Sequence, residues 1–143
     1  MIYLDASYII KCYLDEPGTS QVLELVRSHR GRSSSVHGRL EFWSGVHRHL
    51  REGNISRKQA HGVWQQFRAD ERAGLWHWLA LTERAVRRAC DAFEKLDPKI
   101  FLRSGDALHL ACALENGFAE IYSGDRVLLG AAAHFGLKGI SVY

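Results

Sequence analysis

Short apolar runs alternate along the chain with segments whose apolar positions recur every three to four residues. "MIYL" is an apolar run that closes at Asp5, and "SYIIKCYL" behind it reads as a buried helical turn that "DEPG" stops. From Thr19, Val22, Leu23, Leu25 and Val26 mark one face of a second helix. "GRSSSVH" then reads as a loop leading into a short strand that ends between Ser35 and His37. In "GRLEFWSGVHRHLREGN" the residues Leu40, Trp43, Val46 or His47, and Leu50 stand at helical spacing, with Gly53 as the stop and Glu41 in the first turn.

The pattern continues through the second half. Ser56 is a candidate N-cap for a helix that turns Ala60, Val63, Trp64 and Phe67 inward. "LWHWLAL" alternates as a strand does, and "TERAVRRACDAFEKLD" restarts a helix capped by Thr82, with Val86, Ala89, Cys90 and Phe93 on one face. A nearly all-apolar helix is predicted from Asp106 to Asn116, ending at Gly117. "AEIYS" is then a strand, "DRVLLGAAAHFG" a helix and "GISVY" a last strand.

Strands that alternate with helices predict an α/β fold: three layers, α/β/α, around a mostly parallel central sheet, with residues 1–143 forming a single domain. Ligand sites of such folds lie outside the carboxyl ends of the strands. Asp5 follows the first strand, Glu41 opens the helix after the second, Asp106 opens the apolar helix, and Asp125 follows "AEIYS". Four carboxylates are thereby expected at one end of the sheet.

At 4 Å and an effective dielectric of 20, each pair of anions repels by roughly 4 kcal/mol. A helix N-terminus returns only about 0.3 to 1 kcal/mol. A divalent cation is the natural compensation, and hard oxygen donors select Mg²⁺ or Mn²⁺ over zinc. Taken singly, Asp5, Asp106 and Asp125 could each be a cap or first-turn acid, and Glu41 an ordinary first-turn glutamate. Their joint placement favours the ion.

Composition narrows the class. A hydrophobic fraction of 46% with two prolines in 143 residues predicts one folded domain. No apolar run reaches the roughly 18 residues of a membrane span, and Asp5 interrupts the start of the chain, so a cytoplasmic protein without a membrane partner is expected. Cys12, Cys90 and Cys112 are odd in number and form no CxxC pair, which predicts reduced core thiols. The net charge is +3, yet residues 27–58 carry eight Arg and Lys against Glu41 and Glu52, a local excess of six. Such a segment suits a polyanion, although a solvated helical face accounts for it equally well.

Four blocks in order, "YLDASYIIKCYLDE", "RLEFWSGVHR", "LRSGDALHLACALENG" and "YSGDRVLL", resemble those of PIN-domain ribonucleases of the VapC toxin type, over essentially the whole chain. The resemblance implies a PIN-like nuclease domain. Asp5, Glu41, Asp106 and Asp125 would be its catalytic acids and the holders of Mg²⁺ or Mn²⁺, Glu41 directly or through water, with Ser7 and Ser123 supporting them. Gly105 departs from the usual family pattern, while Ser104 remains available as an N-cap. The implied activity is metal-assisted hydrolysis of RNA phosphodiesters, leaving a 5′-phosphate and a 3′-hydroxyl, with Arg39, Arg48 and Arg51 holding RNA phosphates. The implied partners are a VapB-like antitoxin and a second copy in a homodimer.

His109, three residues after Asp106, reads as a packing histidine with local hydrogen bonds, and the four tryptophans as core or interface. His47 and His49 are two apart on a helix and point to different faces. A catalytically silent RNA- or protein-binding module of the same fold is the alternative. A haloacid-dehalogenase-type phosphatase, which also begins with a strand and an aspartate, wants a second aspartate where this chain has Ser7.

Overall fold

The computed structural model describes all 143 residues. The first strand, β1 (Ile2–Tyr3), leads through Asp5 into α1 (Ala6–Lys11), and α2 (Thr19–Arg27) precedes β2 (Arg32–Ser35). The hairpin of α3 (Val36–Arg51) and α4 (Arg57–Arg72) follows, then β3 (Trp76–Leu79), α5 (Glu83–Lys95) and α6 (Ser104–Glu115). The chain closes with β4 (Glu120–Tyr122), α7 (Arg126–Ala131), a 3₁₀ turn over Ala132–Phe135 and β5 (Lys138–Ile140).

All strand pairs are parallel. Strand β2 lies between β1 and β3, β4 pairs with β5, and a bridge from Leu4 to Tyr122 joins the two groups. The order across the sheet is therefore β3-β2-β1-β4-β5. It reverses between β1 and β4, the position where open parallel sheets form a crevice beyond their strand ends.

Period-two alternation sends side chains to opposite layers. Ile2, Leu4, Trp76 and Tyr122 join a core with α1 to α4, while Tyr3, Leu79 and Ile121 join a core with α5, α6 and α7. This is the three-layer arrangement predicted. No helix is long and apolar enough to cross a membrane.

Several local expectations need correction. The strand expected to end between Ser35 and His37 is β2, and it starts earlier than the loop reading of "GRSSSVH" allowed, with Ser33, Ser34 and Ser35 fully buried in it. That strand runs straight into α3, so Glu41 stands in the second turn rather than the first. The inward face of α3 is Gly38, Phe42, Gly45 and Val46, whereas Leu40 is 71% exposed. On α5 the small residues Ala85 and Ala89 face the core, and Val86, Cys90 and Phe93 are exposed. Cys90 is consequently not a core thiol; Cys112 is, and Cys12 is partly buried. The last strand is Lys138–Ile140, displaced toward the N-terminus from "GISVY".

Candidate active site

At the carboxyl ends of β1 and β4 the structure opens a cleft of about 770 Å³, and Asp5, Glu41, Asp106 and Asp125 all line it. Chain positions more than a hundred residues apart thus meet, because β1 and β4 are neighbours. The acids ring the cleft loosely: no three of them bring oxygens within 4.8 Å of one another.

Asp5 is the most buried, at 4% exposure, and both its oxygens are engaged. Oδ1 accepts the Ser7 hydroxyl at 2.7 Å and the Tyr8 amide at 3.2 Å, which caps α1; Oδ2 accepts the Ser123 hydroxyl at 2.7 Å. The two serines continue outward. Ser7 Oγ accepts the amide of Gly124 at 3.0 Å, and Ser123 Oγ that of Asp125 at 2.8 Å. Capping and cleft lining, considered as alternatives for Asp5, coexist. Burial raises its pKa, against the opposing pull of the His109 charge and these donors.

Asp125 likewise caps its helix, Oδ1 accepting the Val127 amide at 2.8 Å, while Oδ2 meets a guanidinium nitrogen of Arg103. Arg103 also places Nε 2.8 Å from Asp106 Oδ2, so one cation spans two acids. Burial raises the Asp106 pKa and the neighbouring Asp125 charge adds to it, with Arg103 working in the opposite direction. Arg103 is also the N-cap residue of α6, without a side-chain cap; Ser104, expected as the cap, is the first helical residue.

Glu41 is held from the side. His109, only 2% exposed, puts Nε2 2.7 Å from Glu41 Oε2 and Nδ1 2.9 Å from the Tyr3 hydroxyl. Tyr3 is itself fixed, accepting the Ser35 amide at 3.2 Å. His37 reaches the same oxygen of Glu41 at 3.9 Å and the Gly105 carbonyl at 3.1 Å. Burial and the nearby His109 lower the His37 pKa to about 4. Burial tends to raise the Glu41 pKa, but the hydrogen bond from His109 and the surrounding cations leave it lowered. His109 is a packing histidine, as read from the sequence, but its bonds are long-range rather than local, and one of them grips a cleft acid.

Of the basic residues expected to hold phosphates, Arg48 and Arg51 line the cleft, joined by Lys11 and His47. Arg39 does not. It pairs with Glu71 at 3.0 Å and lies over the ring of Trp78 at 5.0 Å. His49, on a different face from His47, pairs with Glu16 at 2.8 Å. The tryptophans stack among themselves, Trp43 on Trp64 and Trp76 on Trp78, away from the cleft.

Sequence reasoning missed Arg103 and His37. Both carried a signal, because Arg103 precedes Asp106 by three residues and His37 precedes Glu41 by four, spacings that put side chains on one helix flank. The donor set fits a hard divalent ion: carboxylate and hydroxyl oxygens, one aspartate buried against its own desolvation, and a guanidinium balancing two others.

Residues 2–133 match the family model for the PIN domain. Three solved structures have similar folds. The Mycobacterium tuberculosis toxin VapC20, described as cleaving the sarcin-ricin loop, shares 17% identity over 92% of this chain and 95% of its own, with a TM-score of 0.71. VapBC2 of Rickettsia felis, bound to a promoter DNA fragment, shares 13% over 99% and 98%, at 0.68. A toxin-antitoxin complex of Klebsiella pneumoniae shares 11% over 100% and 98%, at 0.65. At such identities the likeness is one of fold. No curated protein matches the sequence.

Proposed function

The chain belongs to the PIN-domain family, and from that premise we propose that it is a divalent-metal-dependent endoribonuclease, the toxin of a VapBC-type pair. The observation that carries the reading is the single cleft at the β1/β4 junction, lined by Asp5, Glu41, Asp106 and Asp125 and flanked by Arg48 and Arg51. A phosphatase of the haloacid-dehalogenase type is set aside by the family.

Asp5, Asp106 and Asp125 would hold Mg²⁺ or Mn²⁺, with Glu41 as a fourth ligand directly or through water. When bound, such an ion supplies Lewis acidity that activates a water and offsets charge on a scissile phosphate. The protein's own residues set the stage. Ser7 and Ser123 keep both Asp5 oxygens oriented, and the backbone amides of Gly124 and Asp125 fix those hydroxyls in turn. His109 fixes the rotamer of Glu41. Arg48 and Arg51 attract the RNA backbone that the acids alone would repel. Arg103 must release Asp106 and Asp125 for an ion to enter, and is then free to contact phosphate.

An RNA substrate is supported by the description of the M. tuberculosis neighbour as a sarcin-ricin-loop-cleaving toxin, and an antitoxin partner by the toxin-antitoxin complexes among the similar folds. A homodimer and a cytoplasmic setting accompany the same reading. The test incubates purified protein with total RNA and Mg²⁺ or Mn²⁺ and sequences the new ends. Discrete cuts bearing 5′-phosphates, abolished by chelation and by Asp106→Asn, are expected. Cuts unchanged in that variant would assign the activity to a contaminant and favour a silent binding module.

A further inference from the structure

We propose that His37, Glu41 and His109 form a second metal site, selective for a borderline transition ion of the zinc class, that shares Glu41 with the acidic cleft. One ligand atom from each of the three residues lies within 4.8 Å of the other two. His109 Nε2 stands 2.7 Å and His37 Nε2 3.9 Å from the same carboxylate oxygen, Glu41 Oε2. Around a tetrahedral ion with bonds of roughly 2.0 to 2.1 Å, ligand atoms sit about 3.3 Å apart. One contact opens and the other closes, each by less than roughly an ångström. Two imidazoles and a carboxylate with a fourth position open is a ligand set that zinc enzymes use. The hard oxygen donors of the cleft prefer Mg²⁺ or Mn²⁺, so the two sites sort ions by softness.

The surroundings are those of a built site. Ligating histidines usually hydrogen-bond through their other ring nitrogen, which fixes tautomer and ring orientation. Here both Nδ1 atoms already meet hydroxyls, His37 that of Ser35 and His109 that of Tyr3. Ion binding needs both imidazoles to move a proton from Nε2 to Nδ1: His37 exchanges the Gly105 carbonyl for the ion and donates to Ser35 Oγ, and His109 exchanges its hydrogen bond to Glu41 for the ion and donates to the Tyr3 oxygen. Packing keeps the rings together. Their centroids are 4.2 Å apart, and a Cβ added at Gly38 would fall 2.9 Å from His109 Cε1, so α3 approaches His109 only because residue 38 has no side chain.

Sharing Glu41 couples the two sites. An ion held by the histidines keeps Glu41 turned from the cleft, and by reciprocity a hard ion that draws Glu41 inward weakens the histidine site. Zinc would accordingly antagonise Mg²⁺ or Mn²⁺ binding. The existence of the site does not rest on the nuclease reading.

The test titrates untagged, chelator-stripped protein carrying Cys90→Ser with Co²⁺, in the presence of excess Mg²⁺. Tetrahedral Co²⁺ with nitrogen ligands gives an intense visible absorption that octahedral oxygen sites lack. We expect one equivalent to develop that band and one equivalent of Zn²⁺ to displace it. His37→Ala, at a half-buried position, is expected to weaken Co²⁺ at least tenfold, while Asp106→Asn leaves the band in place. Absence of the band, its persistence at full affinity in His37→Ala, or its loss in Asp106→Asn would each overturn the proposal, the last by assigning the ion to the acidic cleft. RNA cleavage plays no part in the readout, so failure here and failure of the nuclease reading are separate results.

Discussion

The hydroxyl of Ser123 donates to Asp5 Oδ2 at 2.7 Å, tying the end of β4 to the start of α1 across 118 positions of the chain. The Ser123 hydroxyl oxygen in turn accepts the Asp125 amide, so a single buried side chain orients two cleft acids. Ser123→Ala removes a donor from a buried carboxylate and an acceptor from an amide. The expected loss is about 1 to 3 kcal/mol of folding stability, measured by urea denaturation. A loss well below that range would mean that water takes over both contacts.

Arg103 spans Asp106 and Asp125 with a side chain that is half exposed. Pairs of such exposure contribute roughly 0.2 to 1 kcal/mol each. An incoming ion displaces both, so Arg103→Met is expected to bind Mn²⁺ about three- to tenfold more tightly than the parent, as read by electron paramagnetic resonance of free Mn²⁺. Weaker binding in the variant would show that the guanidinium supports the ion site instead of competing for it.

The order of elements and the position of three of the four cleft acids were legible because each sits where a strand or loop hands over to a helix, and punctuation of that kind is local. The phase of α3 was not. Leu40, Trp43 and Leu50 satisfy helical spacing as well as Phe42 and Val46 do, and the choice is made by what faces them: Phe42 stacks on Phe67 at 4.1 Å, beside Tyr13. The α5 face was misjudged for a similar reason, since the close approach of α6 admits Ala85 and Ala89 but not Val86 or Phe93. The start of β2 was read as loop because three serines carry no apolar signal. Long-range partners such as Tyr3 for His109, 106 residues away, leave no trace in local pattern at all.

The α3 phase supplies its own check. Phe42→Ala empties a fully buried ring position and is expected to cost about 3 to 5 kcal/mol. Leu40→Ala, at a position 71% exposed, is expected to stay within about 0.5 kcal/mol of the parent. Thermal or chemical unfolding of the two variants decides it, and the reverse ranking would restore the face read from spacing alone.

Glu16 predicts an acid-side dependence of stability. Its carboxylate lies 2.6 Å from Lys11 Nζ and 2.8 Å from His49 Nε2, with 17% of the side chain exposed. Burial tends to raise its pKa, but the hydrogen bonds from Lys11 and His49 and their charges prevail, leaving it below the ordinary 4.5. An acid whose folded pKa is depressed binds its proton more readily when unfolded. Its contribution is therefore complete above the unfolded value near 4.5 and disappears as the pH falls through the lower folded value. Glu16→Gln is expected to lose on the order of 1 kcal/mol at pH 7 and to show a flatter decline below pH 4.5 than the parent. Urea denaturation from pH 3 to pH 7 measures both slopes, and parallel curves for the two proteins would place the acid sensitivity in other carboxylates.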